Sequence, residues 1–370
     1  MPDVIVIGAG PVGLLISAEL RRLGAEVTLL EQRPQPGPGS RAIGIHSPAL
    51  AALEASGLTA RILDQALRVR AGQAQVQGRV LGTVRFDALN RRFPFVATLP
   101  QESTEEALSA VAPPPERGAT VHQLRPRHDG VIVCTDSGER SAPLVVLAGG
   151  ARSRRLVFAE PEAHHYPDRY LMTDAHVGES SDETTAVIHL EARGVLESFP
   201  LPGRRRRFVA WDPPNSSPDP AARAARMADA LQGQAEDEAV QVREFGVRRF
   251  IAPRMRNNRL FVIGDAAHEV SPIGGQGMNL GLLDAASLAP PLAQWARTGS
   301  APEAELQTWE RTRLRSARRA AALAGVNTRL GRSASPLTHH ARQGLVTAML
   351  GPGARRLFTH AYAMGLDLDA

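Results

Sequence analysis

The feature that most constrains this chain is a GxGxxG motif placed directly after a short apolar strand pattern at 4–7. A helical pattern over 12–23 and a second strand pattern over 26–30 follow, and that strand ends in Glu31. The three glycines of the motif are Gly8, Gly10 and Gly13. Strand, glycine turn, helix and strand, with an acidic residue about 20 positions on, form the context that a dinucleotide fingerprint requires. The chain is therefore predicted to begin with a Rossmann-like βαβ unit.

The chemistry of this motif favours a nucleotide with a pyrophosphate and an unmodified ribose. Glycines let the backbone approach a pyrophosphate, and the helix N-terminus offers amide donors and the positive end of the helix dipole. Glu31 can accept a hydrogen bond from an adenosine ribose hydroxyl, whereas its charge opposes a 2′-phosphate. We therefore predict FAD or NAD at this site rather than NADP, with Gln32 and Arg33 beside Glu31 as further cofactor contacts.

Composition excludes several other chemistries. The chain contains no lysine, so all 43 basic residues are arginine and neither a P-loop lysine nor a Schiff-base lysine is available. The single cysteine, Cys134, excludes an internal disulfide and a multi-cysteine metal site, and adjacent histidines point apart on helices and strands, so no metal is predicted. The net charge is +5, but aromatic residues are not interleaved with the arginines, which argues against nucleic-acid binding. The arginine run at 204–207 follows Pro-Gly and is interpreted as a solvated hairpin turn.

The order of patterns predicts an α/β fold in which a nucleotide-binding domain is interrupted by a second, β-rich layer. Alternating apolar and polar residues indicate strands in that layer, although 220–231 has a helical pattern. A helix is predicted over 103–111, with Ser103 or Thr104 as its N-cap. The predicted Rossmann-like domain with its helical C-terminal region comprises 1–66, 98–156 and 252–370, and the predicted β-sheet substrate domain comprises 67–97 and 157–251.

A second motif is more specific than the first. Gly-Asp-Ala-Ala-His at 264–268 follows a buried strand pattern, and Gly-Gly-Gln-Gly-Met-Asn at 274–279 comes shortly after it. This pair resembles the FAD-dependent aromatic hydroxylases, the single-component flavoprotein monooxygenases with the p-hydroxybenzoate hydroxylase fold. The resemblance extends over nearly the whole chain, because Ser-Arg-Ala at 40–42 is similar to the family's flavin-side arginine loop and Pro-Gln at 100–101 to its glutamine-led helix.

The resemblance implies roles for individual residues. Asp265 would accept hydrogen bonds from the flavin ribitol, with helix capping as the alternative role. The helix that opens at 274–277 would direct amide groups at the flavin pyrimidine edge. Pro272 would border the pocket in which dioxygen adds to the flavin, and Asn279 would anchor the loop. The predicted catalytic residues are Arg41, Pro272 and Gly275, and the further cofactor contacts are Gln101, Gly264, Asp265, Gly277, Met278 and Asn279.

The function implied is that of an FAD-dependent monooxygenase, which uses NAD(P)H and dioxygen to hydroxylate an aromatic or polyketide-like small molecule through a flavin 4a-hydroperoxide. One departure from the family leaves alternatives open, because Gly149 stands where the family usually has an aspartate that contacts pyrophosphate and handles nicotinamide. A reductase or dehydrogenase of the geranylgeranyl reductase type, and a flavin-binding pathway protein without turnover, are the alternatives. Apolar runs of strand length predict no membrane span, and the N-terminal pattern predicts a cytoplasmic protein. The expected assembly is a monomer or a homodimer.

Overall fold

The computed structural model describes residues 1–37, 42–159, 163–179, 181–236, 241–351 and 353–364. The strands are β1 Val4–Ile7, β2 Val27–Glu31, β3 Gly44–Ile45, β4 Leu67–Val69, β5 Ala71–Val76, β6 Arg79–Arg85, β7 Val96–Thr98, β8 Glu116–Arg117, β9 Val121–Pro126, β10 Val131–Thr135, β11 Gly138–Ala142, β12 Leu144–Leu147, β13 His164–His176, β14 Thr185–Glu191, β15 Gly194–Leu201, β16 Arg205–Asp212, β17 Arg243–Ile251, β18 Arg256–Asn257, β19 Leu260–Val262 and β20 His268–Glu269. The helices are α1 Pro11–Arg22, α2 Ser47–Ala52, α3 Leu58–Leu63, α4 Gln101–Ser109, α5 Pro220–Leu231, α6 Gly277–Thr298, α7 Glu303–Leu330, α8 Pro336–Leu350 and α9 Arg355–Tyr362, with short 3-10 helices at Phe86–Ala88, Ala151–Leu156 and Gly264–Ala266.

The nucleotide-binding half is built on a six-stranded sheet in the order β18-β19-β12-β1-β2-β8. Strands β19, β12, β1, β2 and β8 are parallel, and β18 adds an antiparallel edge. The chain leaves β1 toward β2 on one side, and β12 lies on the other side, so the crevice at the carboxyl ends of β1 and β12 is a topological switch point. Buried aliphatic residues of these strands pack against α1 and α6 in the largest hydrophobic core.

A second sheet of eight strands, in the order β20-β17-β13-β16-β15-β14-β5-β6, forms the other layer. One of its faces packs on α5 through Met227 and Leu231. The opposite face carries a separate apolar cluster that includes Val209, Phe245 and, from α8, Val346. The predicted α/β class, with sheets and a helical C-terminal region, is confirmed. The division into two domains at the predicted boundaries stays a prediction, since β20 joins the large sheet from the C-terminal third of the chain.

Two local predictions are wrong. Helix α4 begins at Gln101 with Pro100 at the N-cap position, rather than at Ser103 or Thr104, because the Thr104 amide already donates to the Pro100 carbonyl at 3.3 Å. The run 204–207 is not a solvated turn throughout. Arg206 and Arg207 lie within β16 and are 7% and 4% exposed, since neighbouring polar groups of the sheet bind both guanidinium groups.

Candidate active site

A cavity of about 1160 Å³ lies between the six-stranded and the eight-stranded sheet. Its nucleotide end is lined by the turn that follows β1 and by the residues after β2 and β12. Its other end is walled by apolar side chains of the large sheet and of helices α8 and α9. Both predicted motifs border this one space.

The glycines of the first motif serve two different purposes. Gly10 occupies the N-cap position of α1 and lines the cavity, so the N-terminus of this helix faces the space in which an anion would bind. Gly8 has φ +105°, and a side chain on it would stand 2.6 Å from the Gly149 Cα. Gly13 does not line the cavity; a side chain there would lie 1.8 Å from the Gly8 carbonyl oxygen. Gly13 therefore permits close packing of α1 on the turn.

Glu31 lies at the end of β2, 4% exposed, with its carboxylate at the cavity wall. It accepts hydrogen bonds from the Ala9 amide at 2.8 Å and from the Arg33 amide at 2.9 Å, and the Arg33 guanidinium contacts it at 3.1 Å. Burial raises the pKa of this carboxyl, but the hydrogen bonds and the charge of Arg33 lower it by more, so the net shift is downward. Glu31 is therefore an oriented anion that can still accept from a ribose hydroxyl.

Three more predicted contacts line the same end of the cavity, namely Gln32, Arg33 and Gln101. The Gln101 side chain donates to Glu105 at 2.8 Å within α4, which fixes its amide at the cavity wall. Arg41 lies outside the described residues, so its predicted place on the flavin side stays a prediction.

The second motif lines the cavity opposite the first. Gly264, Asp265, Pro272, Gly275, Gly277 and Met278 all border it. The turn before α6 needs glycine, because Gly274 and Gly275 have φ +103° and +67°, and the Gly275 amide closes the turn on the Pro272 carbonyl at 2.9 Å. Helix α6 then presents its N-terminus to the cavity. Asp265 is not at a capping position, since the N-cap of its 3-10 helix is Ile263.

Asn279 lies one layer behind the cavity and is fully buried. Its Oδ1 accepts from the His46 amide at 2.8 Å, and its Nδ2 donates to the carbonyls of Gly44 and Gly275 at 2.8 and 3.1 Å. These bonds join the first turn of α6 to β3 and to the glycine turn. The predicted anchoring of the loop is thus observed.

A buried charged cluster supports the other edge of the motif. The Asp284 carboxylate of α6 accepts from the Gly264 amide at 3.0 Å, contacts the His268 Nε2 at 2.6 Å, and pairs with Arg313 at 3.1 Å. Burial lowers the pKa of His268, but Asp284 raises it by more. Burial raises the pKa of Asp284, and His268, Arg313 and the Gly264 amide more than offset this. The cluster fixes the Gly264–Asp265 turn at the cavity wall.

Comparison with known proteins decides the family. The model of a family described as "FAD binding domain" matches residues 1–324. The chain belongs to the FAD-dependent aromatic hydroxylase family. It is 32% identical over 334 residues to a rifampicin monooxygenase of Streptomyces venezuelae, and 32% identical over 338 residues to a 6-methylpretetramide 4-monooxygenase of Streptomyces rimosus. Each match covers 85% of this chain, which spans 68% of the first protein and 59% of the second.

Solved structures share the hydroxylase fold. The anhydrotetracycline hydroxylase OxyS of Streptomyces rimosus has a TM-score of 0.79 at 25% identity, over 99% of this chain and 76% of OxyS. The p-nitrophenol 4-monooxygenase PnpA of Pseudomonas putida has a TM-score of 0.87 at 20% identity, over 98% of both chains, which is a likeness of fold. The predictions of the family, of the p-hydroxybenzoate hydroxylase fold, of the FAD cofactor and of an FAD-dependent monooxygenase are confirmed at the level of the family, whose general reductant is NAD(P)H. The reductase and non-catalytic alternatives are not favoured.

The residues of this hydroxylase fit FAD. The N-termini of α1 and α6 both face the cavity, α1 at its nucleotide end and α6 beside the turn of Pro272 and Gly275, which suits a pyrophosphate at the first and a reduced flavin at the second. Gly10 and Gly150 have only open space where a side chain would stand, so the cavity stays clear beside the backbone. Gly149 lines it without a positive φ, and a side chain there would meet the Ser153 Cβ at 2.8 Å.

Two further residues of this hydroxylase, His46 and Glu197, line the cavity although the sequence did not predict them as site residues. His46 is 6% exposed, and burial lowers the pKa of its ring to about 4, so the imidazole is neutral beside the Gly275 turn. Glu197 is 5% exposed on the apolar wall of the large sheet. The signal for Glu197 was present, because it is the only charged residue among the alternate positions Val195, Glu197 and Phe199 of a strand pattern.

Among the described helices none is long and apolar enough to cross a membrane. In the same part of the chain no group of three or more His, Cys, Asp or Glu side chains is arranged to hold a metal ion.

Proposed function

We propose that this protein uses FAD, NAD(P)H and dioxygen to hydroxylate an aromatic or polyketide-like small molecule. The observation that carries the proposal is one continuous cavity, which runs from the dinucleotide turn past Pro272 and Gly275 to an apolar wall. The relatives named for rifampicin and 6-methylpretetramide support a substrate of this class.

When bound, FAD supplies the redox and oxygen-transfer chemistry, and the protein supplies position, electrostatics and exclusion of water. Gly10, with the first turn of α1, would receive the pyrophosphate, and Glu31 the adenosine ribose. Asp265 would accept from the ribitol hydroxyls. The N-terminal amides of α6, behind Gly275, would stabilise negative charge at the flavin pyrimidine edge without any side chain.

Pro272 has no amide hydrogen, and its ring is apolar. It therefore gives the turn an apolar surface, on which the reacting edge of the flavin would lie. The apolar side chains of β14, β15 and β16 would hold the substrate ring against that edge. Arg41 would contact the flavin, as the family resemblance implies. Catalytic roles for Arg41, Pro272 and Gly275 are part of this proposal.

The proposed organisation assigns FAD to the six-stranded half and the substrate to the eight-stranded half, with the C-terminal helices closing the cavity. Leu350 of α8 and Tyr362 of α9 contact the large-sheet side of the cavity, where Val84 and Phe86 also lie. A cytoplasmic location and a monomer or homodimer remain predictions.

Purification, heat release of the flavin and a turnover assay test this function. We expect a yellow protein that releases FAD and not FMN, and that oxidises NADH or NADPH faster with phenols and polyketide aromatics. Oxygen-18 from labelled dioxygen should enter the product. Reductant oxidation without labelled product identifies a reductase, and a protein that binds FAD but consumes no dioxygen identifies the non-catalytic alternative.

A further inference from the structure

An ionisable side chain lies in the middle of the apolar cavity wall. Glu197 is on β15, where Val195 and Phe199 face the cavity on either side of it. Its cross-strand partners are Ile188 of β14 and Val209 of β16, and both also line the cavity. The carboxyl is therefore surrounded by aliphatic and aromatic side chains on a sheet face that points to the substrate space.

The side-chain hydrogen bonds and ion pairs seen among the residues that the structure describes include none to the Glu197 carboxyl, which borders the cavity in a residue that is only 5% exposed. An unpaired buried carboxyl destabilises a folded protein, and buried polar groups nearly always have a partner. The nearby cavity-lining arginine, Arg207, is held by two hydrogen bonds to Asp174 at 2.6 and 2.7 Å. The carboxyl is thus placed to find its partner in a molecule that enters the cavity.

The surroundings also fix the charge that such a molecule can carry. Burial raises the pKa of the Glu197 carboxyl to about 8. The charge of Glu197 contributes to the raised pKa of Tyr170 of β13 and of Tyr362 of α9, and neither tyrosine is a cation. The arginines Arg207 and Arg248 line the same cavity. A neutral carboxylic acid both donates and accepts a hydrogen bond, which complements a hydroxyl group. A substrate carboxylate would bring a second acid into the same apolar wall.

We propose that Glu197 is a specificity-determining residue, which hydrogen-bonds a hydroxyl group on an uncharged aromatic substrate and excludes aromatic acids. This inference rests on the proposed function, because it identifies the substrate class of the same cavity. The bond orients the hydroxylated ring in the space that Pro272 and Gly275 border, and apolar packing on Ile188 and Val209 supplies the remaining affinity.

The proposal is tested by measuring the dissociation constants of three probes from the FAD-loaded protein, by equilibrium dialysis in the absence of reductant. The probes are 1-naphthol, 1-methoxynaphthalene and 1-hydroxy-2-naphthoate. In the wild type we expect 1-naphthol to bind about tenfold more tightly than each of the other two, which corresponds to about 1.4 kcal/mol. In Glu197→Leu the preference for 1-naphthol over its methyl ether should disappear, so that the ratio of the two dissociation constants is about one. Glu197→Gln should retain most of this preference and should bind the naphthoate more tightly than the wild type does.

Glu183→Gln is the matched control, because Glu183 is an exposed glutamate just before β14 and should leave all three affinities unchanged. Glu197→Leu should fold with an unchanged or higher Tm, since it replaces an unpaired buried carboxyl with an apolar group. A lower Tm with the wild-type preference intact would assign Glu197 a structural role and overturn the proposal. Equal binding of 1-naphthol and its ether by the wild type would also overturn it.

Failure of this inference is distinguishable from failure of the proposed function. If labelled oxygen enters a product while the probe preferences are the same with and without Glu197, the monooxygenase proposal stands and the specificity role of Glu197 is refuted. If the preferences depend on Glu197 but no hydroxylated product forms, the specificity role stands and the monooxygenase proposal fails.

Discussion

The Asn279 Oδ1 accepts a hydrogen bond of 2.8 Å from the backbone amide of His46, which lies 233 positions earlier in the chain. This bond joins the start of α6 to the segment that leads into α2. The same side chain also holds the Gly44 and Gly275 carbonyls. The segment before α2 and the glycine turn before α6, which are distant in the chain, are therefore joined by hydrogen bonds behind the cavity wall.

Asn279→Ala should destabilise the protein by about 2–3 kcal/mol, because it removes the three hydrogen bonds of a fully buried side chain and leaves their backbone partners unsatisfied. FAD should also dissociate more readily. Urea unfolding and flavin fluorescence measure the two effects. Ser287→Ala on the same helix is the control, since Ser287 bonds to carbonyls of α6 itself. An unchanged free energy of unfolding in Asn279→Ala would contradict the role of Asn279 in joining the two segments.

Glu31→Gln should weaken FAD binding by roughly tenfold or more, because hydrogen bonds to a charged acceptor are worth about 1.5–3 kcal/mol. Titration of the apoprotein with FAD gives the dissociation constant. The control is Glu26→Gln, because Glu26 is exposed and lies just before the opposite end of β2. This variant should bind FAD as the wild type does. If both variants bind FAD equally well, Glu31 has no part in cofactor binding.

The glycine turn allows a matched pair of substitutions. Gly275 has φ +67°, so Gly275→Ala should cost about 1–2 kcal/mol of stability and hinder flavin seating. Gly344 lies within α8 without a positive φ, does not line the cavity, and has nothing within 4 Å of where a side chain would stand. Gly344→Ala should therefore retain wild-type Tm and flavin content. Equal behaviour of the two variants would contradict the argument from backbone conformation.

The His268–Asp284 pair predicts a pH dependence of stability. The folded-state pKa of His268 is raised above its usual 6.5, so its stabilisation is fully present below pH 6.5 and is lost as the pH rises through the folded-state value. The pKa of Asp284 is lowered below its usual 3.8, so its contribution is present above pH 3.8 and disappears on acidification. In urea unfolding from pH 6 to 9, the stability difference between wild type and His268→Asn should shrink. A difference that is constant with pH would show that folding does not raise the pKa of His268.

Gly149 tests whether the missing aspartate limits reduction by nicotinamide. Its φ is not positive, so aspartate is conformationally allowed, but any side chain must displace Ser153. Gly149→Ala carries the same steric conflict without the charge and is the matched control. Faster stopped-flow reduction by NADH or NADPH in Gly149→Asp than in Gly149→Ala would show that a carboxylate there handles the reductant. Equal rates would exclude Gly149 from that step.

The sequence by itself determined the class of fold, the dinucleotide turn and the family, because glycine spacing, strand periodicity and the Gly-Asp-Ala-Ala-His run are local properties of the chain. It also gave the bounds of α5 without error, since Asp219 caps that helix and Pro220 begins it. The capping pattern at Ser103 and Thr104 misplaced the start of α4, whereas the glutamine-led helix expected from the resemblance agrees with the observed start at Gln101.

Only the tertiary structure decided which residues share the cavity and what charge they carry there. Asn279 and His46 are far apart in the chain but hydrogen-bonded in the fold. Arg207 and Arg206 are 4% and 7% exposed because they hydrogen-bond to groups on other strands. Glu197 is an ordinary glutamate in the sequence. Its chemistry is set by Ile188 and Val209 on neighbouring strands, because desolvation and hydrogen bonding depend on what lies within a few ångströms in space rather than along the chain.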